Sequence, residues 1–219
     1  MGNMTVLALS GGLDSTVLLA MLLAEAHTGA FPVFFRYGSK HNAWEEAAAT
    51  KVATHYGLAL HVVDLVPVFA SVQSALLGHD SRAIPACGYD ASTMAQTLVP
   101  GRNLIFASVL ASLAESRGIP AVALATHAGD HHLYPDCRPS FNLALDSVLQ
   151  ESSAGAVRLH TPFSAMNKAA IVTLGLRLGV PFALTRSCYA DSAVLCGLCG
   201  TCRERADAFA ANGLVDPAL

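Results

Sequence analysis

The fold of this chain is decided by the stretch Leu7-Ala8-Leu9-Ser10-Gly11-Gly12-Leu13-Asp14-Ser15-Thr16. Residues 5–9 have the pattern of a short buried strand, and residues 16–26 that of an apolar helix rich in leucine and alanine. The turn between them contains two adjacent glycines, which allow a bound group to approach the backbone closely. It presents unpaired N–H groups and the positive end of the helix dipole to one point. The stretch therefore predicts an anion site between a strand and a helix, with phosphate as the obvious ligand.

The residues of this turn indicate which kind of phosphate loop it forms. A Walker loop needs the sequence Gly-Lys-Ser/Thr, and no lysine stands in the turn. A dinucleotide fingerprint needs a third glycine where this chain has Ser15. The remaining pattern, Ser-Gly-Gly-x-Asp-Ser from Ser10 to Ser15, resembles the PP-loop of ATP pyrophosphatases, which cleave ATP to AMP and pyrophosphate while activating an acyl or carbonyl oxygen. The alternative is an ordinary tight turn capped by Ser10 or Asp14.

Composition places the chain among globular proteins. It has 219 residues, 53% hydrophobic and 13% charged, which suits one α/β domain, alone or with a small appendage. Its formal net charge of −3 argues against a general nucleic-acid surface. No apolar run reaches membrane-spanning length, and the N-terminus lacks the features of a signal peptide. We therefore expect a cytoplasmic protein whose clustered cysteines bind metal before they form disulfides.

Strand and helix patterns alternate along the first two-thirds of the chain. Further strands are predicted at residues 31–35, 58–64, 121–125 and 157–160, and further helices at residues 43–55, 103–117, 139–150 and 167–178. The irregular stretch 65–97, with a helical turn at 71–77, is predicted to be a binding loop or a lid. Repeated βα units imply an α/β fold with a doubly wound, mostly parallel sheet. Polar clusters follow several strand ends, so they should meet in one crevice at that edge of the sheet.

Four cysteines near the C-terminus have a metal-binding spacing, C-x7-C-x2-C-x2-C. They are Cys188, Cys196, Cys199 and Cys202. Four thiolates at this spacing suit a tetrahedral Zn²⁺ without an open position, so we expect a structural site. An iron–sulfur cluster or a redox pair is the alternative. The predicted organisation is a nucleotide-binding domain over residues 1–185 and a zinc-binding segment over residues 186–219.

Two motifs at element ends are candidates for binding. Tyr37 opens the sequence Tyr-Gly-Ser-Lys-His-Asn, which offers a ring, a cation and several donors, although a solvated loop is the alternative. Arg102 and Asn103 follow a rigid Val-Pro-Gly turn at a helix start, where they could hold a phosphate or a substrate carbonyl. Capping and charge pairing would explain them equally well.

The densest polar stretch runs from residue 127 to residue 138. In it, Asp130 and Asp136 are suited to accept hydrogen bonds from a heterocycle with amine and amide groups, and Tyr134 to stack on it. Its three histidines are an alternative metal site, but two of them are adjacent and point in different directions on a regular backbone.

Lys168 stands at the start of a predicted helix. A cation there opposes the helix dipole unless an anion faces it, so an ATP phosphate is the predicted partner and solvent exposure is the alternative. Cys87 and Cys137 stand apart from the other cysteines, and packing is the simpler interpretation of both.

Together these motifs resemble the 7-cyano-7-deazaguanine synthase (QueC) family of queuosine and deazapurine biosynthesis. The resemblance is carried in chain order by residues 10–15, 37–41, 99–103, 129–131, 134–139, 161–162, 168, 188–189 and 196–202. The sequence Tyr-Pro-Asp-Cys-Arg from Tyr134, joined to the PP-loop and the cysteine knuckle, is the most specific part. Arg36 departs from the family pattern, in which many members have an acidic or amide residue at this position.

The resemblance implies an adenine nucleotide alpha hydrolase-like fold and a ligase that forms C–N bonds. The implied reaction converts 7-carboxy-7-deazaguanine and ammonia to the nitrile through adenylated carboxylate and amide intermediates, with ATP and Mg²⁺. It also implies small-molecule substrates, no nucleic acid or membrane partner, and a homodimer. The implied ATP site is Ser10, Gly11, Gly12, Leu13, Asp14, Ser15, Thr16 and Tyr37. The implied catalytic residues are Asp14 (as a Mg²⁺ ligand), Lys168 and Arg102, and the implied substrate site is Arg102, Asn103, Asp130, Tyr134 and Asp136.

Three other interpretations stay open at this stage. A PP-loop enzyme that amidates or thiolates tRNA would usually carry a basic surface or an extra domain. A related enzyme that attaches the deazapurine to a protein or another amine would have much the same core. A zinc-stabilised nucleotide-binding scaffold would have little reason to carry polar residues at the strand ends.

Overall fold

The computed structural model describes residues 3–25, 28–85 and 95–218. Within them the strands are β1 (Asn3–Ala8), β2 (Thr28–Arg36), β3 (His61–Asp64), β4 (Ala121–Ala123) and β5 (Arg158–His160). The helices are α1 (Leu13–Ala24), α2 (Asn42–His55), α3 (Val66–Phe69), α4 (Arg102–Glu115), α5 (Pro139–Ser152), α6 (Lys168–Arg177) and α7 (Gly200–Ala210). Short 3₁₀ turns lie at Ala95–Thr97, Ala128–Asp130, Pro135–Cys137 and Phe182–Leu184.

The five strands form one parallel sheet in the order β3-β2-β1-β4-β5. The central strand β1 pairs with β2 on one side and with β4 on the other. The strand order reverses direction between β1 and β4, so a crevice opens beyond the carboxyl ends of these two strands. The predicted α/β fold with a doubly wound parallel sheet is confirmed.

Successive side chains of each strand enter two different apolar layers. Leu7 belongs to the layer that packs against α1, α2, α6 and α7, and its neighbour Val6 belongs to the layer under α3, α4 and α5. Most of α1 is buried, which explains why its sequence is apolar on nearly every side. The two layers hold the sheet rigidly, and the loops at its carboxyl edge are anchored to it.

The segment Ala95–Glu115 is apolar and long enough to cross a membrane by composition. Its continuous helix, however, is only the 14 residues of α4. A helix of that length is about 21 Å long, which is shorter than the roughly 30 Å of a bilayer core. Because α4 also buries Ala107, Leu110, Ala111 and Ala114 against the sheet, the segment has the character of a core helix.

Several predicted bounds differ from the observed ones by up to three residues, and one predicted helical turn lies elsewhere. Strand β3 begins at His61 and not at residue 58, because its pairing with β2 starts at the register Val33↔His61. The helical turn predicted at 71–77 lies instead at α3, where Pro67 occupies the first turn and the Asp64 carboxylate accepts the Val66 N–H (2.9 Å). The predicted packing role of Cys87 lies outside the described residues.

No helix was predicted after residue 178, yet α7 completes one apolar layer through Ala208 and Phe209. The buried Arg205 guanidinium donates to both carboxylate oxygens of Asp216 (2.6 and 2.9 Å) and to Thr185 Oγ1 (2.6 Å). Removing one partner of such a buried pair costs about 3–5 kcal/mol, so these bonds fix the chain's last turns against α7. The division at residue 185 stays a prediction.

Candidate active site

The loop between β1 and α1 requires glycine at Gly11. Its φ is +76°, and a Cβ there would lie 2.4 Å from the backbone nitrogen of Ala49 in α2. The loop is braced by its own hydroxyls, since Ser10 N–H donates to Ser15 Oγ (3.2 Å) and Thr16 Oγ1 donates to Gly12 O (2.8 Å). The N-cap of α1 is Gly12, which has no side chain to bind the first turn, and among the described residues the Leu13 N–H makes only a long contact with Ser187 Oγ (3.5 Å). A helix start capped this weakly suits an anion.

A cavity of about 240 Å³ lies beyond this loop. It brings together ten of the residues predicted to form the site: Ser10, Gly12, Asp14, Ser15, Tyr37, Arg102, Asn103, Asp130, Tyr134 and Lys168. Four others do not line it: Gly11, Leu13, Thr16 and Asp136. The first three of these act as the frame of the loop. One cavity thus joins the turn between β1 and α1 to the ends of β2 and β4.

Lys168 lies between two carboxylates at the floor of the cavity. Its Nζ is 2.7 Å from Asp14 Oδ2 and 3.2 Å from Glu204 Oε2. Burial opposes ionisation of Asp14, but Lys168 and then His127 outweigh it and lower the pKa of Asp14. Burial likewise opposes the charge on Lys168, but Asp14 and Glu204 raise the pKa of Lys168. Both groups are therefore charged at neutral pH.

His127 is held in one tautomer beside these charges. Its Nδ1 accepts the N–H of Gly129 (3.1 Å), so the proton lies on Nε2. Nε2 faces Asp130 Oδ2 at 3.4 Å and Asp14 Oδ2 at 3.9 Å. The ligand atoms of His127, Asp130 and Glu204 lie within 4.8 Å of one another, but a protonated Nε2 is a donor and not a metal ligand.

The histidine cluster predicted as an alternative metal site does not assemble. His131 and His132 do not line the cavity, and the main chain of His131 accepts a hydrogen bond from Arg138 (2.9 Å). Of the three histidines, only His127 reaches the cavity.

The other wall of the cavity is aromatic. The Tyr37 ring packs edge-on against Phe106 (5.7 Å between centroids), and the Arg102 guanidinium lies 5.8 Å from the Tyr37 ring centroid. Burial, together with Glu45, raises the pKa of Tyr37 to about 12, so the phenol stays protonated. Tyr134 is buried and its hydroxyl pairs with Thr97 Oγ1 (2.9 Å). A flat heterocycle fits such a wall.

Asp136 and Cys137 fix the start of α4. Asp136 Oδ2 accepts the N–H of Asn103 (3.1 Å), and the Asn103 amide donates to Asp136 O (3.0 Å) and Cys137 Sγ (3.4 Å). Asp136 therefore contacts the helix end and not the cavity. Burial raises the pKa of Cys137 to about 12, so its thiol is unreactive at neutral pH.

The four predicted metal ligands converge. The Sγ atoms of Cys188, Cys196, Cys199 and Cys202 lie within 4.8 Å of one another. The Cys196–Cys202 Sγ distance is 4.0 Å, close to the separation of about 3.8 Å that Zn–S bonds of about 2.3 Å give in a tetrahedron. Backbone N–H groups point at the sulfurs, including Cys199 N to Cys196 Sγ (3.3 Å). This donor set fits a bound metal ion.

The model of the family described as "Queuosine biosynthesis protein QueC" matches residues 4–213 of this chain. The chain belongs to the QueC family. The curated 7-cyano-7-deazaguanine synthase of Paracoccus denitrificans is 42% identical over 216 residues, which cover 97% of this chain and 91% of that protein. The synthase of Ruegeria pomeroyi is 40% identical over 215 residues, which cover 97% and 92%. Both relatives are C–N ligases, so the predicted family and enzyme class are confirmed.

The fold is also shared outside the QueC family. The solved structure of the U34-tRNA thiolase NcsA from Methanococcus maripaludis superimposes with a TM-score of 0.53 at 13% identity, covering 96% of this chain and 67% of that one. At this identity the likeness concerns the fold alone.

Arg36, the predicted departure from the QueC pattern, points away from the cavity. Its guanidinium donates to both carboxylate oxygens of Glu46 on α2 (2.6 and 2.5 Å), and it does not line the cavity. At the carboxyl end of β2, Arg36 thus pairs with α2 and is not among the residues that line the cavity.

Several cavity residues were missed by the sequence analysis. They are Glu45, Phe106, Arg186, Ser187, Tyr189, Thr201 and Glu204, whereas His127 was considered only as part of the alternative histidine metal site. Five of these belong to the segment around the cysteine knuckle, which returns to the PP-loop through the bond from Arg186 N to Gly11 O (2.8 Å). Ser187 and Tyr189 flank Cys188, and this position in the sequence could have identified both as candidate cavity residues.

Proposed function

We propose that this chain is a 7-cyano-7-deazaguanine synthase, which converts 7-carboxy-7-deazaguanine and ammonia to the nitrile with ATP. The observation that carries this proposal is the single cavity between the open first turn of α1 and the aromatic wall of Tyr37 and Tyr134. The first suits a triphosphate and the second a flat base. The names of the curated relatives support the substrate assignment.

The chemistry requires two activations of oxygen. A carboxylate oxygen attacks the α-phosphorus of ATP, pyrophosphate leaves, and ammonia then displaces AMP, which carries that oxygen away. The amide oxygen attacks a second ATP in the same manner, and loss of AMP and of both amide protons leaves the nitrile. Each nitrile thus consumes two ATP and releases two AMP and two pyrophosphates, with both carboxylate oxygens ending on AMP.

In this reaction the PP-loop binds the β- and γ-phosphates. The first-turn N–H groups stabilise the negative charge of the departing pyrophosphate, and the hydroxyls of Ser10, Ser15 and Thr16 hold the loop in shape. Leu13 and Gly11 anchor it in the fold through their burial against α2 and the core. Lys168 offsets charge on the phosphates from the floor of the cavity.

Mg²⁺, when bound, would supply positive charge that offsets the charge of the phosphates. Asp14 is the residue proposed to hold it, because the Asp14 carboxylate is ionised and its Oδ1 has no hydrogen-bond partner among the described residues. Zn²⁺ is the metal proposed for the four-cysteine site, where it would contribute to folding of the C-terminal segment.

The base is proposed to lie against Tyr37 and Tyr134. Asp130 would accept hydrogen bonds from its amine and amide groups, and Arg102 and Asn103 would face its carboxylate. Asp136 would act by holding the α4 start that carries Arg102 and Asn103. This arrangement aims the carboxylate across the cavity toward the α-phosphorus.

We also propose that the enzyme works in the cytoplasm as a homodimer on small molecules. Its net charge of −3 gives no attraction to nucleic acid.

The test is an incubation of the chain with carboxydeazaguanine, ammonium, ATP and Mg²⁺. We expect the nitrile by mass spectrometry and AMP in place of ADP. Asp14→Ala should abolish turnover while circular dichroism and zinc content stay unchanged. Absence of nitrile with intact ATP binding would refute the proposal, and a deazapurine amide formed with an added amine or protein would indicate a transferase instead.

A further inference from the structure

Glu204 reaches the floor of the cavity from the cysteine knuckle. It lies two residues after Cys202, on α7, and its side chain is 16% exposed. Its Oε2 is 3.2 Å from Lys168 Nζ, and a Cβ at Gly129 would lie 3.1 Å from its Oε1. The glycine at position 129 thus leaves the space that the carboxylate occupies.

Hydrogen bonds connect the helix that carries Glu204, and the turn that follows it, to two segments of the nucleotide site, the PP-loop and α6. Toward the PP-loop, Thr201 Oγ1 donates to Ser187 O (2.6 Å), next to Arg186, whose N–H donates to Gly11 O (2.8 Å). Toward α6, the Asn212 amide donates to Ala169 O (3.1 Å), one residue after Lys168. The Glu204 carboxylate therefore has a defined position relative to the loop and to the backbone of Lys168.

Lys168 needs such a restraint. Its ammonium sits on a flexible four-carbon stem and acts as a point charge. In the structure the Lys168 ammonium forms ion pairs with both Asp14 and Glu204. Asp14, however, is also the residue proposed to hold Mg²⁺. With Asp14 as its sole anchor, Lys168 would compete with the cation for that carboxylate.

We propose that Glu204 is a positioning residue that holds Lys168 at the phosphate end of the cavity and leaves Asp14 available to the nucleotide's cation. This rests on the proposed function, since it assigns Lys168 to the phosphates. Glu204 acts through Lys168 and touches neither substrate nor the reacting atoms. The knuckle thereby contributes to catalysis as well as to folding.

The experiment is a double-mutant cycle between Glu204→Gln and Lys168→Met, read as AMP formation. Glu204→Gln keeps the shape and removes the charge; Asp207→Asn, an exposed acid on the same helix, is the matched control. We expect Glu204→Gln to lower kcat about tenfold with KM for ATP within about twofold, and Asp207→Asn to leave both unchanged. In the Lys168→Met background, Glu204→Gln should have no further effect. Zinc content and melting temperature should match wild type.

Other outcomes separate the competing explanations. Equal kcat for Glu204→Gln and wild type, with Lys168→Met impaired, would overturn the positioning role alone. Additive losses in the double mutant would overturn it too, because Glu204 would then act independently of Lys168. Recovery of Glu204→Gln by excess Mg²⁺ would support it, because Lys168 and Mg²⁺ would then be competing for Asp14. If Lys168→Met is as active as wild type, the role of Lys168 at the phosphates fails and the positioning role fails with it. If wild type forms no AMP, the proposed function itself fails.

Discussion

Gly11→Ala should test the shape of the PP-loop. Gly11 has φ +76°, where an L side chain is strained. The new Cβ would lie 2.4 Å from Ala49 N, 2.8 Å from Ala48 C and 2.9 Å from Ala48 Cβ, all of them in α2. Two of these are backbone atoms, so the overlap is relieved only if the loop moves away from α2.

The magnitude follows from two separate effects. Adopting positive φ costs an alanine about 1–2 kcal/mol. Overpacking against a buried helix adds about 1–3 kcal/mol. A total of about 2–5 kcal/mol lowers the melting temperature of a chain this size by about 4–20 °C. Because the displaced loop no longer presents its N–H groups to the cavity, AMP formation should fall as well.

Gly57→Ala isolates the cost of placing an alanine at positive φ. Gly57 also has positive φ (+68°), but a Cβ there meets nothing within 4 Å. We expect this control to lose only about 1–2 kcal/mol and to keep full activity. Differential scanning calorimetry and AMP release measure both variants. A Gly11→Ala protein as stable and active as Gly57→Ala would refute the inferred contact between loop and α2.

Three further perturbations have defined outcomes. Gly175→Ala should lower stability by up to about 2 kcal/mol. Its Cβ would lie 2.4 Å from Phe182 Cζ and 2.8 Å from Val17 Cγ2, an overpacking that costs about 1–3 kcal/mol against a helix-propensity gain of about 1 kcal/mol; a higher melting temperature would contradict this. Burial lowers the pKa of His41, so the chain takes up a proton when it unfolds, and the free energy of unfolding should fall as pH drops below about 6.5. Urea titrations at several pH values should show a smaller decrease of this free energy for His41→Phe than for wild type. An equal decrease in both proteins would count against the role of His41. Cys199→Ser should lose the metal, measured by plasma mass spectrometry, and unfold the C-terminal segment; a soluble, active, metal-free variant would disprove a structural site.

The sequence predicted those elements that are determined by residues close together in the chain. Two glycines between a buried strand and an apolar helix specify the PP-loop, and the cysteine spacing specifies the knuckle. The turn predicted at 71–77 was wrong because its position depends on Pro67 and the Asp64 cap, whose effect appears once β3 ends at Asp64. Local pattern alone does not reveal where an edge strand ends.

The missed site residues depend on tertiary position. Glu204 stands among the charged residues 203–207 after the last cysteine, a pattern typical of a solvated helix face, and it reaches Lys168 only because α7 packs on α6. Asp136 stands in the most specific motif of the chain, yet its carboxylate binds Asn103 N, 33 residues away, and not the cavity. Pairings at such separations follow from the assembled fold.

The transfer of oxygen tests the central claim most directly. Carboxydeazaguanine labelled with ¹⁸O at both carboxylate oxygens would be converted with ATP and ammonium, and the AMP analysed by mass spectrometry. If the carboxylate and then the amide attack the α-phosphorus, each AMP gains one ¹⁸O and pyrophosphate gains none. Label in phosphate or pyrophosphate, or unlabelled AMP beside labelled water, would contradict activation at the α-phosphorus in this cavity.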